Sequence, residues 1–284
     1  MLELRNTLFR AVDSLSGFPQ TMRRVLELTS DIDCSQKELV GVLKRDPVFS
    51  LKILRMVNSA YYSLAQEVTS VQQASVYLGL NTLKNVALSL AVVGALPMEN
   101  RAGLGMQGFW LHSLSVASAA QILGRRLDPE CASGVDYFTA GLLHDVGKVI
   151  FALYAPDEYR TLLVRASSGN HNLCELEEEC FGLSHAEFGE RLSERWNLPQ
   201  SMSRCIASHH KAKGESRVVA CVTTANQVVK SLGYGDGGNH LIEQLPPNVI
   251  TLYPEGLTDL AESMDTLHAE VQKARMFVQI GGAA

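Results

Sequence analysis

The sequence has no Cys-X-X-Cys pair: its six cysteines, Cys34, Cys131, Cys174, Cys180, Cys205 and Cys221, stand singly. That spacing argues against a zinc knuckle and against a disulfide framework, and it reads as buried, reduced thiols. Long apolar runs are also missing. The longest, residues 86–97, is about a dozen residues, well short of the roughly 20 needed to cross a bilayer, and it reads as a buried core helix. The first ten residues carry Glu3, Arg5 and Arg10 with no apolar stretch behind them, so no secretory signal and a cytoplasmic location are expected. Positive charge is not in excess. With Lys+Arg at 25, Asp+Glu at 30 and a formal net charge of -5, a surface that binds nucleic acid mainly by neutralising phosphates is disfavoured. Low-complexity segments and a fixed-period repeat are absent, which removes solenoids from consideration. Alternating strand patterns joined by tight hairpin turns are scarce, so very little strand is expected.

What is present is helical periodicity with cap signals. The chain has 284 residues, 46% hydrophobic and 19% charged, enough for one large domain or two subdomains with a real core. Ser35 and Glu38 form a capping box before Leu39, Val42 and Leu43, and Asp46-Pro47 offers an N-cap with proline at the first helical position. A helix over 48–58 then presents Phe49, Ile53, Leu54 and Val57 on one face, a packing stripe. Gly79 suits the end of a helix over 71–78, and Asn81 can cap another over 82–96. The Pro, Asn and two glycines of residues 97–106 mark a boundary, giving 1–105 and 106–284 as the two expected parts. Further helices are predicted over 135–154, 158–165, 173–180, 186–196 (with Ser184 and Glu187 as a capping box), 201–210 and 218–232. A glycine- and proline-rich stretch over 233–256 reads as a long loop before a last amphipathic helix over 257–277.

The chemistry is concentrated at Gly141-Leu142-Leu143-His144-Asp145-Val146-Gly147-Lys148. On a helix, His144 and Lys148 share a face. An imidazole beside a carboxylate is a good ligand pair for a divalent cation, a carboxylate can bridge two ions, and a nearby ammonium can hold a phosphate oxygen. His112, His185, His209 and His210 lie at helical positions around this pair, so four segments can converge on one metal site. The plain alternative is a set of buried, hydrogen-bonded histidines, which is the preferred reading for His171, His240 and His268 if they are buried at all.

These residues, in this order, resemble the metal-site pattern of the HD superfamily, whose hydrolases cleave phosphoesters at metal centres. More narrowly, residues 14–235 resemble the HDOD family of bacterial signalling proteins. The likeness is carried by Phe18-Pro19, Arg45-Asp46-Pro47, the segment 52–60 ending in Asn58-Ser59-Ala60, Leu78-Gly79-Leu80, Phe109-Trp110-Leu111-His112-Ser113, the segment 140–148, Ser184 to Gly189, Trp196-Asn197-Leu198-Pro199 and His209-His210. The resemblance implies an all-α fold, an HD-like helical bundle with an additional N-terminal helical subdomain. It implies a metal set of His112, His144, Asp145, His185, His209 and His210 for a divalent ion (Fe, Mn, Zn, Ni or Mg) or none. Asp145 and Lys148 become catalytic groups only in an active hydrolase.

The pattern departs from that of the hydrolases in two places. The later-helix aspartate that usually completes the ligand set falls at Asn226 within Val222-Thr223-Thr224-Ala225-Asn226-Gln227, and an amide there lowers affinity for a hard cation. The Glu and Gly-Tyr-Pro turn of the related HD-GYP phosphodiesterases is replaced by Lys211-Ala212-Lys213-Gly214, with Gly233-Tyr234-Gly235 too far downstream to substitute. The resemblance thus implies a signal-transduction module, such as the output half of a response regulator, that binds protein partners or a nucleotide without catalysis. The alternative it leaves open is a metal-dependent phosphohydrolase on nucleotides or cyclic dinucleotides. The sequence carries no strong nucleic-acid signal, and no membrane span is expected.

Overall fold

Two capping boxes set helix starts where the sequence places them. Ser35 Oγ accepts from Glu38 N at 3.2 Å while Ser35 N donates to Glu38 Oε2 at 3.0 Å, and Ser184 and Glu187 make the same exchange at 3.4 and 2.9 Å. Each exchange satisfies two backbone donors that a helix start would otherwise leave open. The structure, a computed structural model, describes residues 2–14, 20–31, 33–59, 61, 62, 64, 66–127, 129, 135–168, 170–211 and 216–281. Phe18-Pro19, Ala60, Cys131 and Ala212 to Gly214 lie outside the described residues.

The described residues form helices and no strand. In order these are α1 (Leu2–Ser14), α2 (Gln20–Ser30), α3 (Gln36–Leu43), α4 (Pro47–Val57), α5 (Val71–Ala95), α6 (Met106–Leu127), α7 (Val135–Leu143), α8 (Gly147–Tyr154), α9 (Pro156–Ala166), α10 (Leu173–Phe181), α11 (His185–Arg195), α12 (Gln200–Ser208), α13 (Arg217–Ser231), α14 (Pro247–Ile250), α15 (Gly256–Glu262) and α16 (Leu267–Gly281). The fold is all-α, as expected. Its contacts divide into two units, one of residues 1–17 with 98–268 and one of 18–97 with 269–284. This differs from the single cut expected between residues 105 and 106: the first and last segments of the chain each belong to the unit remote in sequence.

The smaller unit is built from α2 to α5 and most of α16. Asp46 Oδ1 accepts from Phe49 N at 3.0 Å, with Pro47 opening α4, and the helix buries Ile53, Met56 and Val57. Asn58 then closes the exit by donating to Val68 O and accepting from Val68 N, both at 2.8 Å. Asn58 therefore has a structural role. Within α5, Gly79 sits at φ 72°, ψ 169°, a backbone that glycine adopts without strain. By length and apolarity α5 is the one membrane-span candidate among the described residues. The break at Gly79 leaves residues 80–95 as its longest regular stretch, below the roughly 20 that a span needs.

In the larger unit α6, α7 and α13 pack on one another, and α11 packs on α8 and α12. Phe151 of α8 stacks on Phe181 at 4.5 Å and meets Phe188 edge-on at 5.1 Å. Phe9 of α1 stacks on Phe188 at 5.4 Å. Two helices expected to be continuous are not. Residues 144–146 form a turn between α7 and α8, because Val146 N bonds Leu143 O and Lys148 N bonds Asp145 O three residues back. The last helix breaks after Glu262, where the Arg126 guanidinium takes the Ser263 carbonyl at 2.6 Å and its hydroxyl at 2.9 Å, occupying an acceptor that a continuing helix would use internally.

Candidate metal centre

Every candidate ligand lies in the larger unit, and the six come from four pieces of backbone. His112 is in the second turn of α6, His144 and Asp145 lie in the α7–α8 turn, and Lys148 is in the first turn of α8. His185 opens α11 under the Ser184 cap, and His209 and His210 follow α12. The placement of His144-Asp145 in a turn corrects the helical position expected from the sequence. Its consequence is that the carboxylate points inward and both of its oxygens meet imidazoles. Oδ2 lies 3.2 Å from His144 Nε2 and 3.8 Å from His112 Nε2, while Oδ1 lies 3.1 Å from His185 Nε2 and 3.4 Å from His209 Nε2. His210 Nε2 lies 2.9 Å from His185 Nε2. Two ligand groups result, His112–His144–Asp145 and Asp145–His185–His209–His210, with Asp145 common to both.

The ring orientations are fixed from behind. His144 Nδ1 is 2.7 Å from Gly141 O, His209 Nδ1 is 2.7 Å from Ile206 O, and His185 Nδ1 is 2.5 Å from Glu177 Oε2. With the proton on Nδ1, each Nε2 lone pair faces the centre, as in metal-bound histidines. The side chains of His112, His144, Asp145, Lys148, His185 and His209 are buried. His112 Nε2, His144 Nε2, Asp145 Oδ1, His209 Nε2, His210 Nδ1 and Asn226 Oδ1 are nonetheless buried without a hydrogen-bond partner. The Nε2 atoms of His112, His144 and His209 and Oδ1 of Asp145 converge on one place, and that many unpaired polar atoms together fit a cation, since buried polar groups are otherwise almost always paired. The residues therefore fit a divalent metal.

Charge is arranged to match. Burial holds His112 and His210 well below the usual imidazole range and brings His209 down to about 4. Their rings are therefore neutral donors near pH 7. Burial alone would protonate Asp145, but its surroundings, His144 and Lys148 foremost, outweigh it and hold the carboxyl well below its usual range. Burial likewise opposes charge on His185, yet the Glu177 carboxylate wins and raises it. A metal ion at His185 would displace that proton. Lys148 Nζ donates to Asp145 Oδ2 at 2.6 Å and to Gly237 O at 2.8 Å, so two of its three N–H donors are committed within the centre.

Asn226 is buried in α13, on the face shared by Thr223, whose hydroxyl donates to His209 O at 2.8 Å, and by Lys230. His171, His240 and His268 are exposed and stand outside the centre. Reading the sequence missed Glu177, which accepts from His185 N at 2.7 Å and from Tyr159 OH at 2.9 Å. It also missed the loop after α13. A methyl group on Gly237 would stand 2.9 Å from His112 Cδ2 and 3.3 Å from Asp145 Oδ2, so any side chain there would push the ring or the loop out of this close approach. Glu243 of the same loop lies 3.4 Å from His210 Nδ1.

A model of the HDOD domain family matches residues 15–212. A solved HDOD domain protein of Geobacter sulfurreducens is 26% identical, with a TM-score of 0.79 and 96% of each chain covered. A Shewanella amazonensis protein named as a phosphohydrolase superposes with a TM-score of 0.74 at 24% identity, over 96% of this chain and 98% of its own. A Marinobacter aquaeolei protein named for signal transduction superposes at 0.78 with 21% identity, over 98% of this chain and 65% of its own. At those last two identities the likeness is one of fold. A Treponema pallidum protein of uncharacterised function is 25% identical over 254 residues, 85% of this chain and 47% of that protein, so the chain spans about half of this relative's length.

Proposed function

The chain belongs to the HDOD family, and from that premise we propose that it is a cytoplasmic signal-transduction module that holds a divalent cation in a closed centre and acts by binding rather than by turnover. The observation that carries this reading is the closure itself. The ligand side chains are buried, Gly237 lies against His112 and Asp145, and Lys148 is committed to Asp145 and the Gly237 carbonyl. A phosphoester has no free ammonium to meet and no open ligand face to approach while the loop is closed. Asn226 in place of a carboxylate further weakens the centre as a two-ion catalyst.

In this reading His112, His144, Asp145, His185, His209 and His210 hold the ion, which supplies positive charge at a place where the chain presents unpaired donors. Bound metal then stabilises one arrangement of the helices and of the covering loop, and protein partners or a nucleotide read that arrangement. Within a longer protein, the chain acts as an output module of a response regulator.

The bridging position of Asp145 favours a second reading, a metal-dependent phosphohydrolase on nucleotides or cyclic dinucleotides. Asp145 and the histidines would hold metal, and Lys148 would turn to a phosphate once the loop opened.

Metal content of protein purified without chelator or affinity metal, compared with a His144→Ala, Asp145→Ala double variant, tests both. Near-stoichiometric metal that is lost in the variant, without phosphoester turnover, is the expected result. Turnover abolished by His144→Ala would select the second reading. Metal-free protein with a melting temperature indifferent to chelator or added metal would leave the histidines as structural residues.

A further inference from the structure

We infer that Glu243 is a positioning residue of this centre: it takes the His210 ring by Nδ1, leaves Nε2 for the ion, and so ties docking of the 233–245 loop to metal occupancy. The inference rests on the metal-binding reading above and deepens it.

Three of the clustered histidines share one device, an acceptor behind Nδ1: Gly141 O for His144, Ile206 O for His209 and Glu177 for His185. His210 has none on its own backbone. Its Nδ1 is buried without a hydrogen-bond partner, and the nearest charged group is Glu243 Oε2 at 3.4 Å. A shift of roughly 0.5 Å brings that pair to hydrogen-bond distance. The partly buried Glu243 carboxylate is held ready for it. Asn172 Nδ2 donates to Oε1 at 2.7 Å, Gln227 Nε2 lies 3.4 Å from Oε2, and Glu243 N donates back to Gln227 Oε1 at 2.9 Å. Lys230 Nζ, 3.9 Å from Oε2, donates to Leu241 O at 3.1 Å and fixes the same stretch of backbone. In a neutral imidazole one nitrogen donates and the other is free to ligate.

An acceptor behind a metal-bound imidazole fixes its tautomer and raises its basicity, and removing one costs about 10–100-fold in metal affinity. Because Glu243 arrives on the covering loop, whatever favours the docked loop favours the ion, and the ion favours the docked loop by the same factor. An ion in the buried centre is thereby reported at the surface, where Ile242, the neighbour of Glu243, is half exposed.

The test uses the full chain, titrated with Co2+ and followed by its visible absorption, with backbone hydrogen exchange over 233–245 measured in parallel. Wild type should take the ion, shift the absorption and protect the loop. Glu243→Ala should bind the ion of the His185–His209–His210 group about 10–100-fold more weakly and lose the protection. Glu243→Gln, which keeps an acceptor oxygen, should recover most of both. Wild-type affinity and wild-type loop protection in Glu243→Ala would overturn this inference and leave the metal reading standing. A wild-type chain that takes no Co2+ at all overturns the metal reading and this inference with it.

Discussion

Lys148 Nζ donates to the carbonyl of Gly237 at 2.8 Å, across 89 positions of sequence. The same ammonium sits 2.6 Å from Asp145 Oδ2, so one buried cation compensates the carboxylate and pins the loop that covers it. A metal ion would compete with Lys148 for that carboxylate. Lys148→Met should therefore destabilise chelated protein by about 3–5 kcal/mol, the cost of leaving one buried charge unpaired. Added Mn2+ should restore part of that loss, because the ion replaces the missing charge. Denaturant unfolding with chelator and with Mn2+ checks this. Equal destabilisation in both would mean that Lys148 acts by packing and loop anchoring alone.

Gly237→Ala attacks the same closure by sterics. The added methyl group would stand 2.9 Å from His112 Cδ2 and 3.1 Å from His112 Nε2, closer than van der Waals contact, so ring or loop must yield. A cost of about 1–3 kcal/mol is expected, together with faster proteolysis in the 233–245 loop and weaker metal retention. A variant as stable and as closed as wild type would show that the loop already rests away from His112 in solution.

Much of this was legible in the sequence. The capping boxes at Ser35 and Ser184 and the break at Gly79 follow from local chemistry that tertiary contacts leave in place. The histidine set was legible because six ligand-type residues occur in an ordered pattern carried by a family resemblance. The turn at residues 144–146 was not, since 135–154 is apolar enough to continue as a helix and only the i→i−3 bonds at Val146 and Lys148 break it. Glu177 was hidden in the acidic run Glu175 to Glu179, which reads as a solvated face. Its one signal is that it lies four residues from both Leu173 and Phe181, on the apolar stripe of α10. Glu243 and Gly237 carry no local signal, because their partners are remote in sequence.

The depressed histidines predict acid lability. His209 titrates at about 4 in the folded chain against roughly 6.5 when unfolded, so between those values the unfolded state binds more protons. Stability therefore falls as pH drops through about 6.5 and goes on falling to about 4, a loss of about 3 kcal/mol from this ring. His112 and His210 act in the same direction. His185, raised by Glu177, opposes them: its contribution is present below its unfolded value and is lost as pH rises through the folded one. Metal should leave over the same acid window, since protonated rings cannot ligate. Urea unfolding of chelated protein at pH 7.5, 5.5 and 4.5 measures the slope, which His209→Asn should flatten. A wild-type slope of zero would contradict neutral, buried rings.

The family resemblance sets Asn226 at the aspartate position of the hydrolases, and replacing it with aspartate is informative. Its Oδ1 is buried with no hydrogen-bond partner, on the α13 face that carries Thr223 and Lys230. Asn226→Asp adds a charged oxygen there without adding volume. In chelated protein the new buried charge should cost several kcal/mol. With Mn2+ present that cost should shrink and metal affinity should rise at least about tenfold, roughly 1.4 kcal/mol. Chelator competition and melting with and without Mn2+ read these two effects separately. Unchanged affinity would mean that residue 226 does not face the ion and that the resemblance assigns the last ligand to the wrong position. Phosphoester turnover that appears only in Asn226→Asp would show a binding module one amide away from catalysis. Turnover in both proteins would favour the phosphohydrolase reading for the native chain.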